Sequence, residues 1–191
     1  MAIYSYSYFL PLILRGSFGY SVEKSYILNF PPYVLASIWM LVAGYYGDKY
    51  KIRGPIVLAQ ALVIIIGVCM TAFLTNGPAR YVGVFFGVGA INSNIPAILS
   101  YQHNNITGQL KRALATAMVI GGGGCGGIIA SNVFRHQDAP NYRPGLIAVI
   151  VSQALTAVLV CKNFVVFRRL NRKADRGEIL LEGTEGFRYT Y

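Results

Sequence analysis

Charge is what this sequence has least of. Only 13% of its 191 residues are Asp, Glu, Lys or Arg, about half the share found in soluble domains. With 54% of the residues hydrophobic and 21 glycines besides, too little polar side chain remains to clothe a water-facing surface, which excludes an ordinary soluble globular domain. Cysteine is sparse as well. Cys69, Cys125 and Cys161 lie in or beside apolar runs with no CxxC or Cys/His spacing, so neither a disulfide framework nor a zinc site is expected. Acids are scarcer still: the seven Asp and Glu and both histidines all fall outside the long apolar stretches. No nucleophile-base-acid set, metal cluster or phosphate cradle can be assembled from what is left, so catalysis has no support and no cofactor is expected.

What is present is long hydrophobic runs. A hydrocarbon core about 30 Å thick needs about 20 helical residues, and five stretches of that length carry almost no charge: 26–46, 55–74, 81–101, 113–134 and 146–166. Lys162 is the only ionisable side chain within them, near an end from which it can reach water. Runs such as Val63-Ile64-Ile65-Ile66 are apolar on every side, whereas barrel strands alternate. Residues 1–14 form a short sixth run that lacks a basic n-region and a small-residue cleavage site and contains Pro11, which reads as a truncated span and not a signal peptide. The fold expected is an all-α polytopic membrane bundle over residues 1–166, followed by a basic, partly disordered tail over 167–191.

Seventeen Lys and Arg give a formal charge of +10, but they sit in short clusters between the spans, as topology signals do, and no nucleic-acid partner is inferred. Lys49, Lys51 and Arg53, then Lys111 and Arg112, then seven from Lys162 onward lie on one side, against Arg15, Lys24, Arg80, Arg135 and Arg143 on the other. The richer side is expected to face the cytoplasm, which places the tail there. That tail could also rest on anionic lipid, a solvated stop-transfer segment being the simpler account. His136 and Asp138 fall at the opposite side, as a pH-sensing pair or as part of a solvated loop.

Between the second and third spans runs Gly44-Tyr45-Tyr46-Gly47-Asp48-Lys49-Tyr50-Lys51-Ile52-Arg53-Gly54. It resembles the G-x-x-x-D-(R/K)-x-G-x-(R/K) loop of the major facilitator superfamily, departing from it at Lys51, where the pattern has glycine. Gly44 permits close helix approach, Asp48 can face a helix N-terminus, and Lys49 and Arg53 can pair with carboxylates; such contacts would latch one conformation. An ordinary positive-inside loop accounts for the two basic residues but not for Gly44 and Asp48.

Narrower signals are Gly19-Tyr20-Ser21 with Pro31-Pro32-Tyr33, then Tyr101, Asn104, Gly108, Lys111 and Arg112, then Asp138-Ala139-Pro140-Asn141-Tyr142 before Gly145. Together they resemble the fungal allantoate and nicotinate permease group within the anion:cation symporters, in which Tyr101 is more often tryptophan. The likeness runs to about Arg176 and corresponds to the last six helices of a twelve-helix transporter, the first of them truncated. It implies proton-coupled uptake of a small organic anion through rocking halves, in the plasma membrane.

Asn92, Ser93 and Asn94, followed by Pro96, lie mid-span, where transporter sites concentrate. Asn92 and Pro96 share a face and Asn94 turns away. Asn92 and Asn94 are the candidate substrate contacts, an interhelical hydrogen bond being the alternative. Gln60, Ser131, Asn132 and Gln153 read as packing or end-of-span residues, and Trp39 as part of an apolar face. The glycines from Gly121 to Gly127 formally match G-x-G-x-x-G, but without a preceding strand or acidic partner they read as helix packing or flexing.

Because no acid or Arg lies within a span, a coupling group and an anion's countercharge would have to come from a missing first half or from helix dipoles. The chain therefore reads as one lobe of a carrier, paired with its N-terminal half or with a second copy. The alternative is a structural or regulatory membrane protein that transports nothing. Asn105-Ile106-Thr107 is a formal glycosylation sequon, but the orientation puts it on the cytoplasmic side, away from oligosaccharide transfer. Endoglycosidase treatment of the protein from a fungal host will leave its gel mobility unchanged; a shift would invert the topology.

Overall fold

The computed structural model describes residues 2–5, 10, 21–134, 136–138, 142–184 and 186–191. Most of the expected first span, together with Gly19, Tyr20, Arg135, Ala139, Pro140 and Asn141, lies outside them; residues 2–5 are helical. The described chain is all-α: α1 (Val22–Tyr50), α2 (Arg53–Phe73), α3 (Gly77–Asn104), α4 (Gln109–Val133) and α5 (Arg143–Asp175), with single 3-10 turns at His136–Asp138 and Leu181–Gly183. Each of the five long helices is long and apolar enough to cross a membrane, and each contains one of the five expected spans or falls within a residue of doing so. Thus the all-α polytopic bundle expected from the sequence is the architecture observed. The last helix runs on beyond residue 166 to Asp175.

Local chemistry sets the helix ends. Ser21 accepts the Lys24 amide at 3.3 Å and Glu23 occupies the first turn of α1, offsetting the bare N–H groups and the positive dipole end. At the far end Lys51 adopts φ 55°, which stops the helix. Pro31 and Pro32 sit inside α1, and Pro32 has no N–H to offer the Leu28 carbonyl. The Tyr81 hydroxyl of α3 donates to that carbonyl at 2.8 Å. Such a repair is what lets proline persist in a membrane helix. Arg80, at the start of α3, donates its Nε to the Thr71 carbonyl at 2.9 Å, covering one of the last four carbonyls of α2.

The bundle is organised around α3, which lies along α2 on one side and α1 on the other, while α5 packs on α2. The α2 and α3 backbones touch. A Cβ on Gly67 would lie 2.6 Å from the Gly87 nitrogen and 2.8 Å from the Gly83 oxygen; one on Gly83 would lie 2.7 Å from Met70 Cβ. Gly83 and Gly87 are one helical turn apart, the small-xxx-small spacing of membrane helix pairs. Around this contact Ile64, Val68, Val84, Val88, Ile91, Leu146 and Val149 form the core.

Helix α4 is different. Ala130 is its only buried residue, and Leu110, Leu114, Met118, Ile120 and Ile128 are exposed. Gly121 to Gly124, read as packing glycines, have nothing within 4 Å of a built Cβ. Gly127 of the same run does pack, a Cβ there lying 3.2 Å from the Tyr4 ring, but the glycine contact of backbone on backbone falls on α2 and α3. Replacing Gly83 with Leu will therefore force the two backbones apart and lower the thermal midpoint of the protein in detergent, at a cost of about 1–3 kcal/mol or more. Gly122→Leu will leave that midpoint within error, and equal effects would show that the α2–α3 contact is not the tight one.

Candidate functional site

Halfway along the bundle the helices carry amides and hydroxyls where hydrocarbon would be expected. Gln60 of α2 donates Nε2 to the Ser93 hydroxyl of α3 at 2.8 Å, both buried. One residue on, Asn94 is 5% exposed and Gln153 of α5 is 7% exposed. Asn94 Oδ1 and Gln153 Oε1 have no hydrogen-bond partner among the described residues. Both side chains line a cavity of about 210 Å³, with Ser152, Thr156 and Ile64 also on its wall. A buried amide oxygen left unpaired costs about 1–3 kcal/mol, so these two groups are poised for a donor from outside the chain. Hydroxyls of Ser152 and Thr156 turn back to the Val149 and Ser152 carbonyls at 2.8 and 2.9 Å.

Of the two asparagines singled out in the sequence, only Asn94 faces this cavity. Asn92 is half-buried and donates Nδ2 to the Val88 carbonyl of its own helix at 2.9 Å. Pro96, four residues further, cannot return a hydrogen bond to the Asn92 carbonyl, so the α3 backbone is opened at this level. Gln153, read from the sequence as a packing or end-of-span residue, lines the same cavity as Asn94. Its signal was a polar cluster, Ser152, Gln153 and Thr156, at one-turn spacing in an apolar run, legible as a buried face only once α5 is known to pack on α2.

A second cavity, of about 140 Å³, opens between α1 and α3, bounded by Gly44, Asp48 and Arg53 and by Ser93, Pro96 and Ser100. At its mouth Asp48 and Arg53 are ion-paired across the α1–α2 connector. Arg53 opens α2, so the carboxylate also sits by that helix N-terminus, where an anion is favoured. The guanidinium is mostly covered while the carboxylate is exposed. Gly47 makes room for it: a Cβ there would lie 3.2 Å from Arg53 Nη1. Gly44 borders the cavity but would place its Cβ in open space, so the close approach falls at Gly47. Lys49 pairs with no carboxylate among the described residues; its ammonium lies 5.5 and 5.6 Å from the ring centroids of Tyr45 and Tyr50, a cation–π arrangement.

The chain is 26% identical over 177 residues to the MFS-type transporter cnsO of Penicillium expansum, covering 89% of this chain and 34% of that protein. It is 25% identical over 165 residues to the high-affinity nicotinic acid transporter of Saccharomyces cerevisiae, covering 86% and 31%, and 24% identical over 179 residues to the allantoate permease of the same yeast, covering 89% and 33%. The chain thus spans about a third of the length of these relatives. No family profile matches it, and no solved structure does. The relatives are transporters of the major facilitator type, in agreement with the resemblance read from the residues.

Lys51 occupies the position where the loop pattern carries glycine, and its φ of 55° lies in the left-handed region that glycine tolerates at little steric cost. Lys51→Gly will relieve the connector and raise the thermal midpoint, by up to about 1 kcal/mol once the added unfolded-state entropy is subtracted. A lowered midpoint would mean that the lysine side chain contributes more than its backbone costs.

Proposed function

We propose that this chain is one lobe of a membrane transporter that takes up a small organic anion by proton-coupled alternating access. The observation that carries the reading is the pair of unpartnered amide oxygens, of Asn94 and Gln153, at a cavity halfway through the bundle, in a chain similar to transporters named for nicotinic acid and allantoate. Asn94 and Gln153 contact the substrate, their open amide oxygens accepting an N–H or O–H of an organic anion whose carboxylate is met from the second lobe, while Asn92, the other asparagine expected to touch substrate, is turned onto the Val88 carbonyl of its own helix. Cationic compensation and the proton-carrying group come from the second lobe, since the described spans offer no acid at this level. Gly44, Asp48, Lys49 and Arg53 form the gate: the Asp48–Arg53 pair holds the α1–α2 connector over the second cavity, and its separation accompanies opening. The basic connectors and tail lie in the cytoplasm and the host is the plasma membrane.

Two features support a second lobe. The apolar faces of α1 and α4 are largely uncovered, and the outward glycines of α4 leave room for the close approach of another helix. Alternating access also requires two bundles moving about a shared site.

Uptake of radiolabelled nicotinate and allantoate into proteoliposomes, with an imposed inward proton gradient, tests the reading. The chain alone will be silent, and the chain co-expressed with the first six spans of the yeast nicotinic acid transporter will accumulate label. In that pair Asn94→Ala and Gln153→Ala will each weaken apparent affinity up to about tenfold, the effect of roughly one hydrogen bond. Unchanged affinity in both variants removes the proposed site, and uptake by the chain alone, as a dimer, makes a second copy the second lobe.

A further inference from the structure

Helix α4 buries one residue, yet its first turn is tied down by groups far away in sequence. Lys111 Nζ donates to Glu182 Oε2 at 3.1 Å, and Thr107 Oγ1, in the connector just before α4, lies 3.4 Å from the same oxygen. The Tyr189 hydroxyl approaches Glu182 Oε1 at 3.4 Å. Asn105 Oδ1, also in that connector, accepts the Thr190 amide at 2.7 Å. Thr107 Oγ1 also lies 3.5 Å from the Glu182 carbonyl oxygen, and the shorter-range His103–Thr116, Arg112–Ile106 and Asn105–Tyr101 hydrogen bonds hold the connector locally.

The same stretch of tail is fastened to α5. Asn171 exchanges two hydrogen bonds with the Tyr189 backbone, donating to its carbonyl at 2.8 Å and accepting its amide at 2.9 Å. The Tyr189 ring stacks on Phe167 with centroids 4.5 Å apart, Tyr191 meets Phe164 edge-on at 5.1 Å, and Arg188 pairs with Asp175 at 2.6 Å. Tyr191 also lies against the start of α2, 3.1 Å from where a Gly54 Cβ would be. Glu182 itself sits at φ 50°, a left-handed conformation that a non-glycine residue keeps only when surrounding contacts over-determine it. The Lys111 ammonium hydrogen-bonded to it holds its carboxyl below the usual range, in line with a carboxylate that works as an acceptor.

We infer that residues 181–184 and 186–191 belong to an internal strap whose Glu182–Lys111 clasp pins the first turn of α4 to α5, so that opening the clasp frees α4 to move relative to α2. The strap spans the end of the bundle that carries the 51–52 and 105–108 connectors and touches the residue next to Arg53. It therefore links the position of α4 to the connector region of the proposed gate. The inference stands on contacts within this chain and holds or fails independently of the transport reading.

Electron–electron distance measurement between nitroxides at Ala59→Cys on α2 and Ala117→Cys on α4 tests it, with the three native cysteines replaced by serine and the protein in lipid nanodiscs. The unreversed chain will give one narrow distance distribution. Lys111→Glu alone and Glu182→Lys alone will each broaden it and add a second, shifted population, and the double reversal will restore the single narrow one. Single reversals that leave the distribution unchanged overturn the strap. So does a double reversal that fails to restore it, because global misfolding of a variant would not be cured by a second charge change of opposite sign.

Discussion

Between two helices in lipid, apolar burial gains little, because the tails are as apolar as the side chains they replace; what holds helices together is close packing and hydrogen bonds. In this protein that role falls to the bare backbone contact of Gly67 with Gly83 and Gly87. It fixes α2 and α3 antiparallel in a single register, with Thr71 opposite Arg80 and Gln60 opposite Ser93. Everything polar in the interior takes its position from that register. Gln60 reaches Ser93 because the glycines are where they are, and the next residue, Asn94, is then directed toward α5.

A second constraint is that hydrocarbon offers no partner to a backbone or amide group. The molecule meets it in some places and not in others. The Leu28 carbonyl, orphaned by Pro32, is supplied by Tyr81 from a different helix. One of the final carbonyls of α2, that of Thr71, is capped by Arg80, and Asn92 folds back on its own helix. Other buried polar atoms, among them Gln60 Oε1, Tyr101 Oη and the Gln102 amide, also lack a partner among the described residues, but the oxygens of Asn94 and Gln153 stand out because they share one cavity. Buried polar groups that a fold leaves open are more informative about function than those it closes.

The connectors at the basic end form a continuous system. Asp48 and Arg53 close the α1–α2 turn, Gly54 lies against Tyr191, and the tail carrying Tyr191 crosses to Asn105 and Lys111 at the start of α4. Helix α4, poorly covered within the bilayer, is thus held mainly from its end. A helix anchored in this way can pivot with little effect on the α2–α3 contact, since α4 touches α3 and α5 only lightly.

Much of the architecture was legible in the sequence. Five runs of about 20 apolar residues can only be helices in lipid, because a helix alone closes its own hydrogen bonds within one segment. The loop from Gly44 to Arg53 was recognisable because its turn needs fixed residue types at fixed offsets, and the left-handed φ at Lys51 shows why glycine belongs there. What could not be read was which face of each span meets which neighbour. A run that is apolar all round carries no amphipathic signal to orient it. The glycine-dense α4 therefore drew attention away from the isolated glycines of α2 and α3 that make the contact, Asn92 looked equivalent to Asn94, and Gln153 looked like filler. The tail read as a solvated basic segment because its anchors, Asn171, Phe167, Asn105 and Lys111, lie up to about 85 residues away in sequence. Composition determined the solvent, the elements and their order; only tertiary packing decided the register and the buried faces, because those depend on contacts between residues that no local pattern brings together.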